Sequence, residues 1–255
     1  MVGGEVYSYL LRVREEKGGG LLLLVDPDSV EEQAYLATVR MAAECGVDAI
    51  LVGTSFMLNF DFPSAVKKIK QATSVPVVIF PGSFAQIAPD ADAVIFSCLI
   101  SGRNPAYLIE EQARGAPLVK KYGLEVIPTG YMLIESGSMT SVQYISGTTP
   151  IPRTKNDIAC AHALAAQYLG MKLVYLEAGS GATHPVPEDM VRAVSEYIDI
   201  PVVVGGGITS PDACAAALNA GASFVVVGNA LEGDADSRLL SELACAVHPK
   251  ETIRV

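Results

Sequence analysis

The fold of this chain is decided by two short stretches, PVVVGGGI at residues 201–208 and FVVVGN at residues 224–229. Each contains a run of apolar, β-branched residues, which predicts a strand buried on both faces. Each run ends in glycine, where the backbone can turn sharply or approach a bound group closely. The two stretches therefore predict consecutive strands of a parallel sheet, both with a glycine-rich carboxyl end.

Towards the N-terminus, the same pattern of a short apolar run followed by an amphipathic segment occurs six more times. This alternation is typical of strand–helix units around a parallel sheet. Eight such units without a linker favour a closed (β/α)8 barrel, a TIM barrel, over an open sheet, and one domain over residues 1–255. The predicted strands are Leu21–Asp26, Ala49–Gly53, Val75–Phe80, Ala93–Ser97, Leu124–Thr129, Leu173–Glu177, Pro201–Gly205 and Phe224–Gly228.

Three segments depart from the regular repeat. Val6–Lys17 predicts an extra N-terminal helix, which we expect to close the bottom of the barrel. Pro81–Asp92 is too short, and too interrupted by proline and glycine, for a crossover helix. We therefore expect the helix between strands 3 and 4 to be missing or replaced by a loop, which leaves one flank of the barrel uncovered. Glu135–Thr154 is a long polar stretch that predicts a lid or binding loop.

Capping patterns after the strands predict where four helices begin. A side-chain oxygen that accepts a free N–H is favoured at a helix N-terminus, as is proline in the first turn. The predicted starts are Ser29 with Glu32, Asn104-Pro105, Thr154 with Asp157, and Ser210-Pro211.

Composition limits the classes of function. Half of the residues are hydrophobic and 18% are charged, which predicts a folded core. The net charge of −10 argues against a nucleic-acid partner, because phosphate backbones require clustered cations. Five scattered cysteines without a CxxC pair predict reduced thiols in a cytoplasmic protein. No apolar run reaches the roughly 18 residues of a membrane span, although transient contact with a membrane surface stays open.

The glycines after the last two strands predict a phosphate site. Gly205-Gly206-Gly207 and Gly228-Asn229 occupy matched positions, and barrel enzymes often bind phosphate in these two loops. Backbone N–H groups there could hold an anion without any basic side chain. The alternative, two tight strand–helix turns, explains one glycine each but not the triple glycine.

Oxygen donors after the first two strands predict a site for a hard cation. Asp26 and Ser55 lie at strand ends on the face where barrel enzymes keep their chemistry. Mg²⁺ typically takes one or two carboxylates together with substrate phosphates. The alternative is structural, because Asp28 or Ser29 could cap a helix and Thr54 and Ser55 could be turn residues.

The sixth strand ends in YLEAGSG at residues 175–181, which predicts a general base. Glu177 stands at the strand end beside small residues that would admit a substrate. A structural glutamate at a strand end is the alternative, and the following Ala-Gly-Ser-Gly argues against it. The three histidines have no partner at catalytic-triad or metal-ligand spacing.

Together these motifs resemble the geranylgeranylglyceryl phosphate synthase family and its bacterial relatives that use other prenyl chains. The matching pieces occur in the family's order from the first strand to the eighth. GYMLIESG at 130–137 and PIP at 150–152 resemble the second of the family's two sequence groups. The other pieces are LVDPD at 24–28, VGTS at 52–55, YLEAGSG at 175–181, VGGGI at 204–208 and VGN at 227–229.

The resemblance implies Mg²⁺-dependent transfer of a prenyl group to the 3-hydroxyl of sn-glycerol 1-phosphate, in ether phospholipid biosynthesis. Geranylgeranyl diphosphate is the expected prenyl diphosphate, Asp26 and Ser55 would hold Mg²⁺, and Glu177 would accept the hydroxyl proton. The resemblance also implies a homo-oligomer, a dimer or a hexamer. The residues that it implies for glycerol phosphate are Tyr175, Leu176, Glu177, Ala178, Gly179, Ser180, Gly181, Gly206, Gly207, Gly228 and Asn229.

Two positions depart from the family pattern. Leu24 stands where the other sequence group has a lysine, which puts a lysine contact to phosphate in doubt, and Thr54 stands where a second glycine is usual. Two alternative functions stay open: an isomerase or lyase acting on a sugar phosphate, and a non-catalytic binder of a phosphate ligand.

A prenyl substrate would connect to the uncovered flank. Outward residues of strands 3 and 4, among Val77, Ile79, Val94 and Phe96, have no helix in the sequence to cover them. We therefore expect an apolar groove running down this flank from the top face, filled by the prenyl chain. A large residue placed there should shorten the chain that is accepted.

Overall fold

The eight predicted strands form one closed parallel barrel. The structure, a computed structural model, describes residues 4–58, 61–228 and 236–252. The strands pair in chain order, and the first also pairs with the last, which closes the sheet and confirms the predicted fold class. They are β1 Gly20–Val25, β2 Ala49–Val52, β3 Val77–Ile79, β4 Ala93–Leu99, β5 Glu125–Leu133, β6 Leu173–Glu177, β7 Val202–Gly205 and β8 Phe224–Val227.

Helices follow the strands everywhere except after β3. There the described chain forms only a 3₁₀ turn, Phe84–Gln86, so the predicted gap in the helical ring is confirmed. A π-helical stretch, Ala106–Glu110, precedes the helix after β4. The α-helices are α1 Glu5–Lys17, α2 Glu32–Glu44, α3 Phe62–Ala72, α4 Glu111–Tyr122, α5 Ser141–Ser146, α6 Asn156–Tyr168, α7 Glu188–Tyr197, α8 Pro211–Asn219, α9 Ser237–Val247 and α10 Pro249–Thr252.

Two strands, β3 and β5, differ most from their predicted lengths, by three residues each, because of their neighbours. β5 continues to Leu133, since seven of its residues pair with β4 and the last five pair with β6. β3 is only three residues long and has two register positions with β4. The residue after it, Phe80, leaves the ladder and packs into the barrel interior.

Alternation along each strand divides the apolar residues into two cores. Leu21, Leu23 and Val25 face outward into the core between the sheet and the helices, whereas Leu22 and Leu24 face the barrel axis. A strand buried on both faces has no polar face to alternate with, which explains the continuous apolar runs in the sequence.

Helix α1 closes the N-terminal end of the barrel, as predicted. Val6 and Leu10 belong to the inner core together with Phe224. The Glu125 carboxylate accepts hydrogen bonds from the N–H groups of Val6, at 2.7 Å, and Tyr7, at 2.9 Å. A negative charge at these free N–H groups stabilises the helix start.

The predicted helix starts are half right. Ser210 accepts a hydrogen bond from the Ala213 N–H, and Asn104 accepts one from the Ala106 N–H, so both caps are confirmed. Ser29 is wrong as a cap, because its hydroxyl donates to the Asp26 carbonyl and α2 begins three residues later. Thr154 is also wrong: a turn from Pro152 delays α6, and Lys155 takes the N-cap position.

The expected exposure of outward residues on strands β3 and β4 is wrong for three of the four candidates. Val77, Ile79 and Val94 are fully buried in the same core as Ile87 and Val119. The loop that replaces the missing helix therefore covers them, although it lacks regular structure. Phe96 is only partly buried and stays available to line a cavity.

Other sequence expectations concern the long loop, the thiols and membrane spans. The stretch Glu135–Thr154 contains the short helix α5 and a bridge between Ile134 and Ile151. All five cysteines are free thiols. In the described ranges, no helix combines the length and the apolar character that a bilayer crossing needs.

A buried carboxylate fastens the bottom of the barrel. Asp48 is 1% exposed and accepts hydrogen bonds from Lys17 Nζ at 3.0 Å and from the Leu21 N–H at 2.8 Å. His248 Nε2, itself in a residue only 3% exposed, lies 2.8 Å from the same carboxylate. Asp48 therefore joins α1, β1 and the end of α9, and no local pattern predicts the pairing of His248 with Asp48.

We expect Asp48→Ala to lower the free energy of unfolding by about 3 kcal/mol, because it leaves buried donors without their acceptor. Urea unfolding measures the loss. Glu32→Ala is the control, since the Glu32–Lys68 pair is exposed to solvent and should contribute much less to the free energy of unfolding. Equal losses in the two variants would contradict this account.

Candidate active site

A cavity of about 210 Å³ opens at the carboxyl ends of the strands. Its wall combines predicted site residues with residues that the sequence did not single out. The predicted ones are Ser55, Tyr175, Glu177, Ser180, Gly181, Gly206, Gly207 and Gly228. The cavity therefore gathers residues from the ends of β2, β6, β7 and β8, as the barrel topology requires.

Glu177 is the buried charged group of this cavity. It ends β6, is 6% exposed, and its Oε1 accepts a 2.5 Å hydrogen bond from the Gly179 N–H. Burial raises the pKa of Glu177 to about 7, while the Gly179 N–H and the adjacent Tyr175 hydroxyl act in the lowering direction. A carboxylate with a pKa near the working pH is suited to take a proton from a substrate.

Three aromatic rings form the floor beneath Glu177. Phe80 stacks on Tyr175 with 5.1 Å between ring centroids, and Tyr131 lies 5.4 Å from Tyr175. Burial, followed by the charge of Glu177, raises the pKa of both tyrosines well above the usual value, so both keep their protons. The buried Tyr175 hydroxyl lies beside the Glu177 carboxylate and stabilises its charged form, although the two groups fall short of full hydrogen-bond geometry.

The glycines after β7 are required by close packing. Gly206 has φ +84°, and a Cβ there would overlap the Glu177 carboxylate oxygen. A Cβ at Gly207, φ +70°, would lie 3.0 Å from the Pro185 nitrogen. A Cβ at Gly205 would overlap the Tyr175 hydroxyl. Because these three positions are glycine, the loop after β7 can lie directly against the Glu177 carboxylate.

The other residues predicted to bind glycerol phosphate do not present side chains to the cavity or are not described. Leu176 and Ala178 are fully buried in the outer core, so their side chains do not reach the cavity. Gly179 has φ +100° and packs against Thr140. Asn229 lies outside the described residues.

The two predicted metal ligands lie on neighbouring strand ends. Asp26 directly follows β1, two residues beyond the cavity-lining Leu24. Its Oδ1 accepts a hydrogen bond from the Asp28 N–H at 2.9 Å. Ser55 lines the cavity, but Asp26 does not belong to the described lining. Asp28, a suggested cap, instead accepts the Leu58 N–H at 2.7 Å and holds the β2 loop.

Thr54 adopts its place without strain, although a glycine is usual there. No described non-glycine residue has a positive φ, so a side chain at position 54 costs no backbone energy. Its hydroxyl lies within hydrogen-bond distance of the Phe56 N–H, at 3.4 Å, and of the Phe56 carbonyl, at 3.3 Å. The side chain therefore supports the turn that carries Ser55.

An apolar extension of the cavity reaches the flank that lacks a helix. Phe84 and Ile87 from the replacing loop, Phe96 from β4, and Tyr107 and Gly115 from the opposite side line it. The predicted groove is thus present, but its outer wall is the loop itself. One end of the cavity is polar and glycine-rich, and the other is apolar.

A closed parallel barrel with a base of pKa about 7, a glycine-walled pocket and an apolar extension defines a (β/α)8-barrel enzyme that joins a small polar substrate to an apolar one. Comparison with known proteins gives the family. The model of the PcrB family matches residues 11–246. The chain belongs to the PcrB family, as the motif resemblance indicated, and it is a prenyltransferase.

Curated relatives cover almost the whole chain. A protein of Spirosoma linguale, named geranylgeranylglyceryl phosphate synthase, is 46% identical over 88% of this chain and 90% of its own length. A protein of the same name from Thermococcus kodakarensis is 45% identical over 90% of each chain. Bacterial and archaeal relatives are thus similarly distant from this chain.

Solved structures agree with these relatives. The (S)-3-O-geranylgeranylglyceryl phosphate synthase of Thermoplasma acidophilum, solved in complex with its substrate sn-glycerol-1-phosphate, superposes with a TM-score of 0.91. It is 33% identical and covers 98% of this chain and 100% of its own. The thiamine phosphate pyrophosphorylase of Pyrococcus furiosus, at 18% identity and a TM-score of 0.61, shares the fold alone.

The contact between Gly206 and Glu177 can be tested with a matched glycine. We expect both Gly206→Ala and Gly170→Ala to lose stability, since their φ values are +84° and +82°, and Gly206→Ala to lose more, because its Cβ would also overlap the backbone nitrogen of Gly179. A Cβ at Gly170 meets nothing within 4 Å, whereas one at Gly206 displaces the base. Only Gly206→Ala should therefore lose prenyl transfer, by about a hundredfold in kcat/KM. Equal activity in the two variants would show that the contact does not position Glu177.

Proposed function

We propose that this enzyme transfers a prenyl group from a prenyl diphosphate, with geranylgeranyl diphosphate as donor, to the 3-hydroxyl of sn-glycerol 1-phosphate. The product is an ether. The names of the relatives and the ligand of the Thermoplasma acidophilum structure support this choice of substrates. The observation that carries it is the buried Glu177, with a pKa raised to about 7, between a glycine-walled pocket and an apolar extension.

The glycine-walled end of the cavity suits the phosphate of the acceptor. Gly206, Gly207 and Gly228 allow a ligand to approach the backbone, and Ser180 and Gly181 extend the same wall from the β6 loop. The chain has a net charge of −10, so local N–H groups rather than a basic surface must hold the anion. This arrangement would place the 3-hydroxyl beside Glu177.

Glu177 would act as the general base of the transfer. The glycerol oxygen attacks C1 of the prenyl chain and forms the C–O bond, while the bond between C1 and the diphosphate oxygen breaks. The hydroxyl proton passes to the Glu177 carboxylate, and the diphosphate leaves with the bonding electron pair. A proton on Glu177 is then stable, because burial favours the neutral acid.

Asp26 and Ser55 would hold Mg²⁺ against the diphosphate. One carboxylate and one hydroxyl fit a cation that takes its remaining ligands from substrate phosphates and water. Within the described ranges no cluster of three acidic, histidine or cysteine side chains forms a complete cage, which agrees with a metal that arrives with the substrate. Bound Mg²⁺ would neutralise negative charge on the leaving group.

The apolar extension would take the prenyl chain. Phe84, Ile87, Phe96 and Gly115 offer carbon surface along the flank without a helix. Each methylene buried there contributes about 0.8 kcal/mol, so a long chain can supply much of the binding energy of the donor. A role in ether phospholipid biosynthesis, a cytoplasmic location and a homo-oligomeric state, dimer or hexamer, are further parts of the proposal.

A single assay tests the metal and the substrates. Purified protein with labelled geranylgeranyl diphosphate, sn-glycerol 1-phosphate and Mg²⁺ should form the ether product, and excess EDTA should abolish it. Asp26→Asn should raise the KM for the diphosphate at least about tenfold, because an amide is a poorer ligand for a hard cation. Asp90→Asn, at an exposed position, is the control.

Three outcomes would contradict the proposal. Full activity in EDTA would remove the metal from the mechanism. Turnover of a sugar phosphate in place of the two substrates would favour the isomerase or lyase, and ligand binding without any turnover would favour a non-catalytic binder.

The role of Glu177 predicts a pH dependence. Because the base must be deprotonated, kcat/KM should rise with pH to a plateau, with a midpoint near 7. Glu177→Gln should abolish turnover while sn-glycerol 1-phosphate still binds, as measured by calorimetry. Normal turnover in Glu177→Gln would remove this residue from the mechanism.

The same pKa shift predicts a gain in stability for Glu177→Gln. The folded protein binds the Glu177 proton more tightly than the unfolded chain, so the wild type loses stability as the pH rises towards and through 7. Glu177→Gln lacks this loss and should melt several degrees above the wild type at pH 8, with a smaller difference at pH 5.

A further inference from the structure

Gln86 has no assigned role, yet its amide makes three hydrogen bonds beside the active site. It belongs to the 3₁₀ turn that replaces the missing helix, and it is 1% exposed. Its Oε1 accepts the Thr54 N–H at 3.2 Å and the Gly82 N–H at 3.1 Å. Its Nε2 donates to the Thr54 carbonyl at 2.9 Å. One side chain thus joins the loops that follow β2 and β3.

The two loops pack closely around the Gln86 amide. A Cβ at Gly53 would overlap the Phe80 carbonyl oxygen, and one at Gly82 would overlap the Thr54 carbonyl oxygen. Removing the amide would leave the part-buried backbone groups of Thr54 and Gly82 without these hydrogen bonds, which weakens the link between the loops.

Gln86 also sets where Ser55 lies. The β2 loop is held at one end by the Gln86 amide and at the other by Asp28, which accepts the Leu58 N–H. Ser55 lies between these two attachments and lines the cavity. A shift at Thr54 is transmitted to Ser55 through a single peptide unit.

We propose that Gln86 is a positioning residue for the diphosphate half of the site, acting through Thr54 on Ser55. This inference rests on the proposed function, because it assigns Ser55 to the metal and diphosphate. The inference distinguishes the two substrates. Gln86 should affect the binding of the prenyl diphosphate and Mg²⁺. It should not affect the binding of glycerol phosphate, which is assigned to the loops after β6, β7 and β8.

The test compares Gln86→Met with Gln167→Met. Both substitutions keep the side-chain length and remove an amide that joins two segments. Gln167, in α6, donates a hydrogen bond to the Asp199 carboxylate and accepts one from the Asp199 N–H, which follows α7. Gln86→Met should raise the KM for geranylgeranyl diphosphate about tenfold, while the KM for sn-glycerol 1-phosphate stays within about twofold. The Mg²⁺ concentration for half-maximal rate should rise as well, and Gln167→Met should change none of these values.

Amide hydrogen exchange supplies a readout that does not depend on activity. Exchange at Thr54 and Gly82 should accelerate in Gln86→Met and not in Gln167→Met. If the wild type shows no prenyl transfer, the proposed function fails, while faster exchange still supports the link from Gln86 to Thr54. If the wild type is active and Gln86→Met leaves the KM for the diphosphate unchanged, or raises both KM values equally, the inference is overturned.

A second variant decides the case if Gln86→Met does not fold. In Gln86→Glu the carboxylate still accepts hydrogen bonds from the Thr54 and Gly82 N–H groups, but it repels the Thr54 carbonyl, which loses its donor. The KM for the diphosphate should therefore rise above the wild-type value, while the KM for sn-glycerol 1-phosphate stays within about twofold. An unchanged KM for the diphosphate, or an equal rise in both KM values, would overturn the inference.

Discussion

Closure of the sheet between β1 and β8 is the constraint on which the rest of the structure depends. Because all eight strands are parallel, their carboxyl ends reach one rim, and residues far apart in the chain become neighbours there. At this seam a Cβ at Gly228 would lie 3.5 Å from the Cβ of Leu24, in ordinary van der Waals contact. The pairing of Leu23 with Val227 makes the carboxyl ends of β1 and β8 neighbours.

Features that depend on local patterns could be predicted from the sequence. Continuous apolar runs predict the strands, interruption by proline and glycine predicts the missing helix, and a carboxylate at a strand end indicates Glu177. Contacts between distant segments could not be predicted in this way. Nothing local in the sequence indicates that His248 meets Asp48, or that Tyr131 lies beneath Glu177.

Predictions from the sequence were wrong where two local preferences compete, or where a neighbouring segment determines whether a residue is buried. Ser29 is a residue type that often caps a helix, but its hydroxyl donates a hydrogen bond to the Asp26 carbonyl instead. Val77 lacks a covering helix and is buried nevertheless, because an irregular loop can pack as densely as a helix.

The flank without a helix has a consequence for how this enzyme can evolve. Its apolar cavity has two walls, and they are not equally free to vary. The wall from the 3₁₀ turn contains Gln86, whose amide is shared with the loop of Ser55, so substitutions there would also disturb the cavity-lining Ser55. The wall from the π-helical stretch and α4, with Tyr107 and Gly115, carries no such attachment to the β2 loop in the described chain. Adaptation to lipid tails of other lengths should therefore accumulate on that second wall, while the first is held constant by selection for chemistry.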